Sequence, residues 1–189
     1  MGFLDTILGG GKKLKGPAPD RLFAMTTAQV QLDAGLGLKA NGVAGIAFQQ
    51  VATADFKQIL ADTEELLHGS AEDTGTKIDS ADDEYGFRWV ILRDSDFDDL
   101  LVAMNTVSSE LQGGGYGDRL LCAVFSFDED GRKIYFIYNF KRGSFYPFVP
   151  TGEKQRNTER EFQLRAQIGN ELPIEPETAR WLPLWDLPL

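Results

Sequence analysis

Three short apolar runs, set end to end and joined by turn-forming residues, constrain this chain more than any other feature. They are RLLCAVFSF (119–127), KIYFIYNF (133–140) and FYPF (145–148), with Asp128-Glu129-Asp130-Gly131 and Lys141-Arg142-Gly143-Ser144 at the joints. Runs of this length, rich in aromatic and β-branched residues, read as strands. So short a joint returns the chain antiparallel, because a parallel neighbour needs a crossover of about a dozen residues or more. Asp-Gly supports positive φ at little cost, which marks the first joint as a hairpin turn. The first run is almost continuously apolar, so it predicts a strand at the centre of the sheet.

Around this meander the periodicity is helical. Phe97, Leu100, Leu101, Met104, Val107 and Leu111 recur at the helical repeat. Ser95 and Asp98 form a capping-box-like start, and Gly113-Gly114-Gly115 a stop. Thr53 is an N-cap for a helix with the stripe Phe56, Ile59, Leu60 and Leu67. Asp20 opens a helix carrying Leu22, Phe23, Val30 and Leu32, ended by Gly35 and Gly37. Asn157 or Thr158 opens a last one, with Glu159 and Glu161 in the first turn, where the dipole favours acids. Residues 43–51 and 85–93 read as two more strands. The acidic, Gly- and Ser-bearing stretch 69–84 reads as an exposed loop. The closing ELPIEPETARWLPLWDLPL, rich in Pro and Trp, is expected to pack as an extended segment.

The expected fold is α+β, an antiparallel sheet with helices flanking it, in one domain over residues 20–189. Residues 1–19 stand apart as an amphipathic arm and linker. Phe3, Leu4, Ile7 and Leu8 fall on one helical face, Gly9, Gly10 and Gly11 interrupt it, and Lys12, Lys13 and Lys15 follow. Such an arm suits a groove on a partner protein, an anionic membrane surface, or plain disorder, since eight residues make a marginal helix alone.

With 189 residues the chain can bury one substantial core. Its formal net charge of -10 repels phosphate backbones at long range, which argues against nucleic acid as a partner. That argument outweighs the basic residues Arg132, Lys133, Lys141 and Arg142 scattered among aromatics, a pattern that can bind single strands. Tyr138, Phe140, Phe145 and Tyr146 are instead expected to mark a protein contact surface. One cysteine, Cys122, and one histidine, His68, allow neither an internal disulfide nor a Cys/His zinc site. No apolar run approaches the roughly 20 residues of a membrane span, and the start lacks a secretory signal, so a cytoplasmic protein is expected.

Candidate chemistry is sparse. Asp94, Asp96, Asp98 and Asp99 are spaced like the start of a calcium loop, but that loop needs Gly and Glu where Asp99 and Asn105 stand. The charged start of a helix explains the cluster. Asp128 and Asp130 flank a wet hairpin tip. Gly113–Gly117 (GGGYG) runs from helix to strand, the reverse of a phosphate cradle, and continues as Asp118-Arg119. Cys122 sits in the most apolar strand, where a thiol resists ionising. His68, expected at a helix end, has no evident nucleophile beside it. No catalytic residue, cofactor or metal ligand is expected.

Taken in order, MGFLDTILG, DRLFAMTTAQVQLDAGLGLKANGVAGIAF, YGFRWVILRDSDFDDLLVAMNTVSSEL, YGDRLLCAVFSF, YNFKRGSFYPFVP and ELPIEPETARWLPLWDLPL resemble the PspA-associated protein family PspAB. YNFKRGSFYPF and LPLWDLPL are the most specific of these. The resemblance implies a part in a phage-shock type of envelope stress response. It implies a coiled-coil PspA-like partner that coats the inner face of the membrane, and no catalytic residues to carry over. The layout also looks like type III secretion chaperones and YbjN-like proteins, which bind partner segments and often dimerise, a likeness at the level of fold alone. The expected role is therefore a non-enzymatic adaptor, with the arm as a second, tethered contact and a homodimer as one form it could take; the alternatives are peripheral membrane association through the arm, or a small-ligand-binding protein or enzyme of unrecognised type.

Overall fold

A computed structural model describes residues 21–189. In chain order its elements are helix α1 (Ala24–Leu36), strand β1 (Lys39–Gln49), helix α2 (Ala54–Thr74), and strands β2 (Lys77–Asp82) and β3 (Phe87–Arg93). Helix α3 (Phe97–Gly113), strands β4 (Leu120–Glu129), β5 (Arg132–Asn139) and β6 (Ser144–Phe148), the small pair β7 (Pro150–Gly152) and β8 (Gln155–Arg156), and helix α4 (Thr158–Ile168) follow.

The meander forms as its joints require. Asp130 and Gly131 take positive φ of 52° and 80°, and the Asp128 carboxylate accepts the Gly131 N–H at 3.0 Å. The main sheet has the order β2-β3-β1-β4-β5-β6, with every pair antiparallel. Strands β1 and β4 lie at its middle, where β4's near-continuous apolar run belongs.

Local signals start the helices. The Thr53 hydroxyl accepts the Phe56 N–H at 3.3 Å, and the Asp96 carboxylate accepts the Asp98 N–H at 2.9 Å. Asp96, one residue beyond the expected Ser95, therefore caps α3. The stripe of α1 differs from expectation. Leu22, Met25, Ala28 and Leu32 are buried, whereas Phe23 and Val30 are exposed. Val30 lies two positions from both Ala28 and Leu32, which turns it to the opposite side of the helix. Asp20, expected to cap this helix, lies outside the described residues.

The acidic stretch 69–84 is not a loop. Helix α2 continues through it to Thr74, with Ser70 and Thr74 hydroxyls bonded back to carbonyls one turn earlier. Edge strand β2 takes up most of the rest. Its acids are matched across the ladder: Arg93 meets Asp79 at 2.5 Å and Arg88 meets Asp82 at 3.0 Å. The cations that let this acidic strand pair belong to β3, outside the stretch whose composition suggested a loop.

Both faces of the sheet are buried, by different means. Phe48, Leu92, Phe125, Phe127, Phe136 and their neighbours point to the face covered by the helices. Alternate residues, including Trp89, Ile91, Val124, Ile137 and Phe148, point to the other face. There the cover is the segment 173–189, largely extended, with a 3-10 turn at Thr178–Arg180 and a second turn at Trp185–Asp186, where Asp186 takes a positive φ of 58°. We call it the strap. Its extended packing is the arrangement expected of the Pro- and Trp-rich tail.

Candidate functional site

The strap is built from large side chains that need a flat apolar surface and from a backbone that needs hydrogen-bond partners. It first runs beside β6: the Phe145 N–H donates to Pro173 O, and the Glu175 N–H to Phe145 O, each at 2.8 Å. The Trp181 ring stacks on Tyr146, and its indole N–H donates to Glu175 O at 3.0 Å. Tyr146 then donates its hydroxyl to Leu182 O at 3.0 Å, and the Arg156 guanidinium donates to Trp181 O at 2.7 Å. Trp185 sets its ring edge-on to Phe148. The Lys133 ammonium donates to Leu189 O at 3.0 Å. Leu189 lies over Gly45 so closely that a Cβ there would stand 2.8 Å from its methyl carbon.

Glu175 is the polar anchor. It is buried, yet its carboxylate accepts from Arg142 Nε, Ser144 Oγ and the Glu177 N–H, each at 3.1 Å. Burial pushes its pKa up; the Glu177 N–H, Ser144 and Arg142 outweigh that and hold it below the ordinary glutamate value.

The strap does not cover the whole face. Between its end and the hairpin joining β2 to β3 lies a groove of about 600 Å³. Its floor and walls are apolar, from Ala47, Trp89, Leu121, Cys122, Trp185 and Leu187. Its rim is acidic, from Asp82, Asp83, Glu84 and Asp186. Asp83 organises the hairpin. One carboxylate oxygen accepts the Tyr85 and Phe87 N–H groups at 2.9 Å, and the other accepts the Trp89 indole N–H at 3.1 Å. This leaves Tyr85 projecting at the rim, 74% exposed. A hydrogen bond with Glu84, and then the charges of Glu84, Asp186 and Asp83, raise the Tyr85 pKa. Arg88 offsets the Asp82 charge alone and lowers that carboxyl's pKa. Cys122, at the groove floor, is pushed up to about 12 by burial and by Asp83, so the thiolate needed for nucleophilic chemistry is suppressed.

A family model described as PspA associated protein B matches residues 1–189, the whole chain. The chain belongs to that family. No curated protein and no solved structure matches it, so the likeness to type III secretion chaperones and YbjN-like proteins rests on layout alone. The two segments that most marked the PspA associated protein B resemblance touch in the fold. YNFKRGSFYPF supplies Phe145, Tyr146 and Phe148, which hold the strap, and LPLWDLPL supplies Leu182 and Trp185 on top of them.

The aromatics expected to form a contact surface lie inside the molecule. Tyr138, Phe140 and Phe145 are fully buried among the helices, and Tyr146 is 4% exposed beneath the strap. Each face of β5 and β6 has its own cover, so both alternating sets of side chains are core. Only one cover was expected from the helical periodicity. The arm residues Phe3, Leu4, Ile7, Leu8, Lys12, Lys13 and Lys15 lie outside the described residues. His68 sits within α2, exposed, and not at its end.

The Asp94–Asp99 cluster is turn chemistry. Asp94 accepts from Thr76 and the Asp96 N–H, and Asp96 caps α3. Among the described residues, no group of three or more His, Cys, Asp or Glu side chains is placed to hold a metal ion, and no helix is long and apolar enough to cross a membrane. The feature that sequence reasoning missed is the groove. Its apolar floor is shared by strands distant in sequence, and three of its rim acids, Asp82, Asp83 and Glu84, lay in the stretch read as loop.

Proposed function

We propose that the chain is a non-enzymatic adaptor that binds a PspA-like protein through the groove beside the strap. The observation that carries this reading is the groove itself: an apolar trough with an acidic rim and a projecting tyrosine. An aromatic at the edge of a desolvated pocket is the arrangement that concentrates binding energy in protein contacts. The family description, PspA associated protein B, supports a PspA-like protein as the partner. In this reading the partner is a coiled-coil protein at the inner face of the membrane. The adaptor acts in the cytoplasm, peripheral to that surface, in an envelope stress response. A basic, amphipathic helix of the partner would place apolar side chains in the trough and cations over the rim.

Titration calorimetry of the full chain with a purified PspA-like protein tests this. Tyr85 is exposed, so Tyr85→Ala leaves the fold intact and is expected to weaken binding about tenfold. Leu66→Ala, on the outward side of α2, is expected to leave affinity unchanged. Absence of binding by the unaltered chain contradicts the adaptor role. Binding indifferent to Tyr85→Ala contradicts the groove as its site.

A further inference from the structure

We infer that the groove is also a small-molecule site, for a free amphiphilic organic cation: a bulky apolar body carrying one permanent positive charge. This goes beyond the docking reading above and shares its site, so such a ligand competes with a partner helix.

The first observation is the lining. A volume of about 600 Å³ falls within the size range of small-molecule sites, whose usual make-up is apolar walls with a few polar groups. Four of the side chains that line the groove are aromatic: Tyr85, Phe87, Trp89 and Trp185. The quadrupole of an aromatic ring attracts cations and not anions.

The second is the imbalance of charge. Among the described residues, no Lys, Arg or His lines the groove, whereas Asp82, Asp83, Glu84 and Asp186 do. Arg88 pairs with Asp82 at 3.0 Å, which leaves the other three carboxylates without an ion-pair partner among the described residues. Lys133, which reaches the end of the strap, is bonded to Leu189 O and lines no part of the groove. The Asp83 charge is fixed in place by the Tyr85, Phe87 and Trp89 N–H groups. Asp186 is exposed on a turn with φ of 58°, a conformation that Asp adopts more readily than most residues.

Floor and rim make different demands on an occupant. The apolar floor rejects a strongly hydrated ion, such as a divalent metal or a small ammonium, because exposed carboxylates return less than its desolvation costs. The rim rejects anions. A ligand meets both demands if its body is apolar and its charge is shielded or delocalised, and so weakly hydrated. A phospholipid headgroup fits less well, since the phosphate beside its ammonium meets the same acids.

Tetraphenylphosphonium and tetraphenylborate, alike in size and apolar surface but opposite in charge, provide the test. In equilibrium dialysis against the full chain, the cation is expected to bind at one site, about tenfold tighter than the anion. Glu84→Gln with Asp186→Asn, both exposed, is expected to weaken the cation about fivefold and to strengthen the anion. Glu65→Gln with Glu72→Gln removes the same charge from the exposed side of α2 and is expected to change neither. Equal binding of the two ions, no cation binding up to about 1 mM, or an equal loss in the α2 pair would each overturn the inference. Absence of cation binding, with Tyr85→Ala still weakening partner binding, sinks the ligand site and leaves the docking site. Cation binding that responds to the groove pair, with partner binding indifferent to Tyr85→Ala, does the reverse.

Discussion

On the helix side of the sheet, helix ends are satisfied largely locally, by caps and by bonds one turn apart, with a few distant links such as Thr53 to Tyr116 and Arg160 to Glu129. On the strap side, the backbone of residues 173–189 relies on partners far away in sequence. Pro173 O depends on the Phe145 N–H, Leu182 O on Tyr146, Trp181 O on Arg156 and Leu189 O on Lys133. Each such link can be lost without unfolding a helix or a strand. A layer of this kind opens at lower free energy than the core beneath it. The groove lies where this looser cover ends, so the molecule pairs a rigid face with a yielding one. The lone thiol and all three tryptophans belong to the yielding face, which makes it separately observable.

Changing the helix face should be felt by the whole molecule. Phe125 is fully buried against Phe97 and Phe145. Phe125→Ala is expected to cost about 3–5 kcal/mol in urea unfolding, with far-UV circular dichroism and tryptophan emission moving together. A smaller and divided response is expected at the strap anchor. Glu175→Gln should cost about 2 kcal/mol, the worth of charge-assisted bonds, with the loss appearing first in tryptophan emission. If both signals again move together, the faces are not distinct.

Acid provides a third comparison. The Glu175 carboxyl is held below its unfolded value, so its contribution is fully present above that value and is lost as pH falls through the lower, folded one. Tryptophan emission should therefore shift at an acidic pH where helical circular dichroism is still intact. Glu175→Gln should abolish that separate step.

The smallest effect is at Gly45. Alanine in a strand gains about 0.5–1 kcal/mol over glycine, but here its Cβ meets Leu189. Gly45→Ala should therefore be close to neutral alone and stabilising in a Leu189→Ala background. The coupling should be about 1 kcal/mol in a double-mutant cycle of denaturation midpoints. Zero coupling would mean that the strap does not rest on β1.

Much of the helix face could be read from the sequence, because its determinants are local. Thr53, Asn157 and the stripe from Phe97 to Leu111 announce themselves within one or two turns. The Asp130-Gly131 turn did the same for the meander. Strand β2 could not be read this way, since its acids are matched by Arg88 and Arg93 on another strand. Tyr146 was read as a surface because the strap that covers it carries no periodic signal; Tyr138, Phe140 and Phe145 are buried on the opposite face, beneath the helices. The groove was hidden for both reasons at once: it exists only where β2's turn, the sheet and the strap come together.

Amide hydrogen exchange of the full chain, with and without a PspA-like protein, tests the central claim most directly. The account predicts added protection concentrated in Ala81–Trp89 and Pro183–Pro188, with α1, α2 and α3 unchanged. Protection confined to the outward faces of those helices, with the groove segments exchanging as before, would contradict it.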